Sequence, residues 1–159
     1  MQTISAALLL SLAIGVSGCN PFGSKPNTQL EAGDAARRYE WRASLFTPAE
    51  LAGAMQIRGN ATWSRDGDAS RVTLGISNAT PGGSHPWHVH RGRCGDNGPI
   101  VGDASAYKPL QVDDKGNASA SARLDLALPA SGDYYVNVHA LATNLATIIS
   151  CGNLAPPIS

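Results

Sequence analysis

Met55-Gln56-Ile57-Arg58-Gly59-Asn60-Ala61-Thr62-Trp63-Ser64-Arg65-Asp66-Gly67-Asp68-Ala69-Ser70-Arg71-Val72-Thr73-Leu74-Gly75-Ile76 reads with a period of two. Met55, Ile57, Ala61 and Trp63 alternate with small or polar residues, and Val72, Leu74 and Ile76 do the same after a break. Successive side chains of a strand point to opposite faces, so this pattern describes two strands that each bury one side. Arg65-Asp66-Gly67-Asp68 supplies the turn between them. An antiparallel hairpin is therefore the seed of the fold.

Working outward, Asn78-Ala79-Thr80-Pro81-Gly82-Gly83 closes the second strand, and His85-Pro86-Trp87-His88-Val89-His90 follows as a third. Arg91 to Ala106 reads as a loop, with glycines at 92, 95, 98 and 102 and Pro99. Tyr107 to Val112 is expected as a strand with Asp113-Asp114-Lys115-Gly116-Asn117 as its turn. Ser119 to Leu128 alternates at Leu124, Leu126 and Leu128, Tyr134 to His139 follows Gly132-Asp133, and Leu145 to Cys151 is a last apolar strand. About eight short strands at this spacing indicate an all-β Greek-key sandwich or barrel. No phosphate loop, nucleophile elbow, heptad pattern or internal repeat is present.

The N-terminal third reads differently. Residues 1–18 are uncharged and apolar through Ala6-Ala7-Leu8-Leu9-Leu10, too short for a membrane span and suited to an export signal. Val16-Ser17-Gly18-Cys19 resembles a bacterial lipobox, which makes Cys19 the expected lipidated residue of a membrane-anchored protein facing the periplasm or the cell surface. Asn20 after that cysteine favours export beyond the inner membrane. Residues 19–52 are expected as a disordered or partly helical tether. Pro21, Gly23, Pro26 and Asn27 break the chain, and Ala32, Ala35, Ala36 and Tyr39 have loose helical spacing. Thr47-Pro48-Ala49-Glu50 looks like a capping box ahead of one short helical turn. Residues 53–159 are then the β domain. Formal net charge is zero, which argues against nucleic acid as a partner. Cys94 and Cys151 form an even pair in an exported chain. A bridge between them would close a long loop, worth on the order of 4 kcal/mol.

The chain has four histidines: His85, His88 and His90 within six positions, and His139 far downstream. On an extended strand the rings of His88 and His90 share a face. A histidine from a distant strand would complete a trigonal imidazole set around one metal ion.

With these elements placed, residues Ala54 to Leu154 resemble the copper/zinc superoxide dismutase family. The landmarks are the His-x-x-His-x-His segment at His85, His88 and His90, then Cys94, Gly98-Pro99, Val138-His139 and Cys151-Gly152. The resemblance implies a superoxide dismutase-like barrel in which His88, His90 and His139 are copper ligands. It implies that His85 is a structural histidine hydrogen-bonded to backbone, and that Cys94 and Cys151 are the family disulfide. The departures are equally specific. Ile100 stands where the family has its metal-bridging histidine, and Ile148 stands where it has an anion-guiding arginine. No histidine lies between His90 and His139, so a zinc site of the family's design is not expected.

Three neutral imidazoles suit copper, trigonal for Cu(I) and with a further ligand for Cu(II). Two readings follow: a copper-dependent superoxide dismutase drawing its protons from solvent, or a lipoprotein that holds copper without turnover. Its partners would be superoxide or copper ions, and the membrane through the lipid; a homodimer stays open. Arg91, with Arg93, is the candidate to replace the missing anion guide. Trp87 and Tyr135 either line the mouth or pack, and Asp103, Asp113 and Asp114 read as loop and turn residues. Gly82 with His88-Val89-His90 also fits the opening of a cupin metal motif, as a minor alternative, and a metal-free sandwich is the plainest one.

Overall fold

The computed structural model describes residues 39–158. The expected signal (1–18), the expected lipidation residue Cys19 and the expected tether up to residue 38 lie outside these. Nine strands run in chain order: β1 (Glu40–Phe46), β2 (Arg58–Asp66), β3 (Ala69–Ser77), β4 (Ser84–His85), β5 (Trp87–Arg91), β6 (Leu110–Gln111), β7 (Ala118–Leu124), β8 (Tyr134–Leu141) and β9 (Asn144–Leu154). Seven form one curled antiparallel sheet in the order β5-β8-β9-β1-β2-β3-β7. The β4–β6 ribbon lies against β8 on one side and β7 on the other, spanning the gap between the sheet's two ends. The fold is all-β and barrel-like, as the alternation predicts.

The β2–β3 hairpin forms as read, from Arg58↔Ser77 to Asp66↔Ala69. Its two-residue loop begins at Gly67 with φ 65, where a hairpin turn needs a residue that tolerates positive φ. The curled sheet closes on Trp41, Trp63 and Tyr134, whose rings meet edge to face, with centroids 5.3 Å (Trp41–Tyr134) and 5.1 Å (Trp63–Tyr134) apart. Trp87, Val89, Val136 and Val138 bury their side chains in the same core.

Four sequence expectations need correction. Residues 40–46 are not tether: they form β1, inserted between β2 and β9 and tied to the C-terminal segment through Arg42 and Ala155. Trp41, Ala43 and Leu45 alternate there as buried residues, a period of two that the preceding alanines obscure. The domain therefore begins before residue 53. Thr47 does not cap a helix; its hydroxyl accepts from Ile57 N–H at 2.8 Å, and a single 3₁₀ turn over Ala49–Leu51 follows Pro48. The expected strand over 107–112 shrinks to Leu110–Gln111, because Pro109 has no N–H for a ladder. The strand expected to reach Leu128 ends at Leu124, where Leu126 N–H turns back onto the Leu124 carbonyl.

Candidate metal centre

Strands β5 and β8 are neighbours, with His88 opposite Asn137 and His90 opposite Tyr135. Parity then sorts the side chains. Trp87 and Val89 point into the core with Val136 and Val138. His88 and His90 therefore share the outer face with Tyr135, Asn137 and His139. One ring nitrogen from each of His88, His90 and His139 lies within 4.8 Å of the other two. The distant histidine does converge on the pair.

Backbone carbonyls fix the direction of two rings. His90 Nδ1 donates to the Gly98 carbonyl at 2.8 Å, and His139 Nδ1 donates to the Leu145 carbonyl at 2.6 Å. A carbonyl only accepts, so both protons sit on Nδ1 and both Nε2 atoms carry free lone pairs. His88 presents Nδ1 to His139 Nε2 at 3.2 Å, a pair that can share one proton or one metal ion. His90 Nε2 is buried without any hydrogen-bond partner. Burial lowers the pKa of all three histidines, and for His88 the neighbouring His139 and His90 lower it further, to about 4. All three are neutral donors at pH 7.

The loop from 92 to 100 holds His90 in place. Gly98 presses against β5, and a Cβ there would fall on the Arg91 carbonyl, so only glycine lets the loop come close enough to accept from His90. The Cys94–Cys151 disulfide staples this loop to β9, its Cα atoms 6.0 Å apart. The Tyr135 ring stacks on His90 at 5.2 Å and 17°, while its hydroxyl donates to the Asp96 carbonyl and accepts from Gly98 N–H at 3.2 Å. On the other side the Tyr107 ring meets His88 nearly edge-on, with its hydroxyl donated to the Val101 carbonyl.

The histidines line an open cleft of about 770 Å³, whose lining also includes Ile100, Ile148, Asn137, Glu50 and Asp96. No lysine or arginine is among those lining residues. Arg91 is not brought to the site: it shares the core parity of Val89, and its guanidinium lies over the Tyr134 ring. Arg93 pairs with Asp133 in solvent. His85 stands apart from the cluster, its Nδ1 donating to the Ala140 carbonyl at 2.9 Å. Trp87 is core, donating to the Lys108 carbonyl. Asp103 accepts from Ser105 N–H, Asp113 accepts from the N–H groups of Lys115 and Asn117, and Asp114 stays exposed in the same turn.

Neither protein-family models nor curated proteins match this chain. Its chemistry has to be argued from the site. Reading the residues alone misses Asn137 and the Leu145 carbonyl. The first is signalled only by its place in the Tyr135/Asn137/His139 alternation, and a main-chain acceptor leaves no mark in a sequence.

Proposed function

We propose that this chain is a copper-binding protein on a superoxide dismutase-like barrel, holding one ion through His88 Nδ1, His90 Nε2 and His139 Nε2. The observation that carries the reading is the convergence of three neutral, carbonyl-oriented imidazoles, one of them with an orphaned buried nitrogen. A buried lone pair without a partner is costly unless something fills it, and borderline imidazole donors suit copper well. When bound, copper supplies one-electron chemistry through its two oxidation states. The chain itself orients the rings, keeps them unprotonated and leaves one side open to the cleft.

Between holding copper and dismuting superoxide, the cleft lining favours holding. Glu50 and Asp96 are its charged groups, and Ile100 and Ile148 are hydrocarbon. Such a mouth attracts cations and repels small anions. Dismutation remains the second reading, supported by the open access to the histidines. The test uses the purified protein, titrated calorimetrically with copper and with zinc and then assayed for superoxide consumption. One copper equivalent, bound at least tenfold tighter than zinc and abolished in His139→Ala, is the expected result. No copper uptake by the wild-type chain overturns the reading, while fast superoxide consumption that vanishes in His139→Ala selects dismutation over holding.

A further inference from the structure

Asn137 has no part in holding the three rings, yet it sits among them. It follows Tyr135 and precedes His139 on the same face of β8, lies directly opposite His88 on β5, and faces Cys151 on β9. Only 6% of its surface is exposed, it lines the cleft, and its side-chain carbonyl oxygen is buried with no hydrogen-bond partner. Its position on the strand is not one that structure alone explains. Val136 and Val138 beside it are ordinary strand residues, and a β-branched apolar side chain at 137 would satisfy this backbone without stranding a polar atom. A buried, unpaired amide oxygen is destabilising, and such groups are retained where a ligand or water completes them.

We infer that Asn137 is the polar floor of the metal cleft, a positioning residue. It hydrogen-bonds a small exogenous ligand (water, or a small anion supplied in excess against the acidic mouth) that enters the cleft and would complete the donor set of the three histidines. The inference rests on the copper reading above. Three imidazoles leave copper short of its preferred coordination in the oxidised state, so a small ligand has reason to enter. Of the residues lining that side of the cleft, Ile100 and Ile148 offer it nothing polar. Asn137 offers both an acceptor and a donor, and rotating the amide by half a turn exchanges them. It can therefore serve a protonated ligand or an anionic one without bringing a charge into the site.

Two measurements on the full-length protein test this. The first titrates the copper(II)-loaded protein with azide, followed by its visible charge-transfer band and by electron paramagnetic resonance, in wild type, Asn137→Val and Asn137→Thr. The expected outcome is one copper in all three, with azide bound about tenfold more weakly by Asn137→Val, as loss of one hydrogen bond predicts, and partial recovery in Asn137→Thr. The second measures thermal unfolding without metal. Asn137→Val should melt a few degrees higher than wild type, because the orphaned oxygen is gone. Equal azide affinity and unchanged spectra in Asn137→Val overturn the inference. So does loss of copper from Asn137→Val alone, which would make Asn137 a support of the metal and not of its ligand, and so does a lower melting temperature, which would give it a structural partner. Failure of wild type to bind copper sinks the underlying reading instead.

Discussion

His90 and His139 each commit Nδ1 to a main-chain carbonyl, and that leaves Nε2 as the only donor either ring can offer. His88 has no such tie; burial lowers its pKa, and its two imidazole neighbours lower it further, to about 4, with no carbonyl contact to raise it again. This sets the pH behaviour of the metal-free protein. Above pH 6.5 His88 is neutral whether the chain is folded or not, and its contribution is fully present. As pH falls through 6.5 the unfolded chain takes up a proton that the folded chain refuses until about 4, so stability declines across that window. Melting temperature should drop steadily from pH 7 to 4.5, and His88→Gln should flatten that slope; an unchanged slope would show that other groups govern acid unfolding. Tyr135→Phe is a second test at this scale. It keeps the stack on His90 but removes the hydroxyl from between Asp96 and Gly98. Denaturant titration should show a loss of about 1–2 kcal/mol. The shared face of His88 and His90 was legible in the sequence because two-residue spacing on a strand dictates it, whereas His139 was joined to them only by the family resemblance. The support from Tyr135 was not, because nothing in the sequence decides whether an aromatic ring in a strand packs in the core or against a ligand.

The loop over 92–100 is the element on which the site depends. It reaches β5 at Gly98, β8 through the Tyr135 hydroxyl and β9 through the disulfide. Replacing both Cys94 and Cys151 by serine opens a closed loop 57 residues in span. Its chain-entropy value is on the order of 4 kcal/mol, measurable by chemical denaturation. The same variant should bind copper more weakly, since the carbonyl that aims His90 is no longer stapled. Undiminished affinity would show that Gly98 is held by its close packing on Arg91 and its hydrogen bond to the Tyr135 hydroxyl without the staple. At this scale the hairpin and the late strands were readable from alternation, with ends displaced by a few residues. Strand β1 was not. Its three buried residues are too few for periodicity to stand out beside Ala32, Ala35 and Ala36, and one of its two edges is fixed by partners far along the chain, β9 and Ala155. Thr47 failed for a related reason. A local capping rule competed with a backbone donor ten residues away, and the distant donor won.

At the scale of the whole molecule, the formal neutrality of the chain hides an uneven distribution of charge among the described residues. Four of the described positive groups sit away from the cleft: Arg91, exposed over Tyr134, Arg93 with Asp133, and Arg71 and Arg123 paired with Asp66. Arg58 rests on Phe46 from a neighbouring groove. The mouth leading to the histidines keeps Glu50 and Asp96. Cation capture by such a mouth is accelerated by attraction at long range, and salt screens that attraction over about 8–10 Å at physiological strength. Stopped-flow copper(II) uptake by the metal-free protein should therefore slow as ionic strength rises. Glu50→Gln should slow it at low salt, by a few-fold, and remove much of the salt dependence. Superoxide consumption by the loaded protein, if the site turns over, should show the opposite sign, rising with salt as repulsion of the anion is screened. Uptake that quickens with salt would mean that remote positive groups dominate the potential at the mouth, and the preference for holding over dismutation would lose its physical basis.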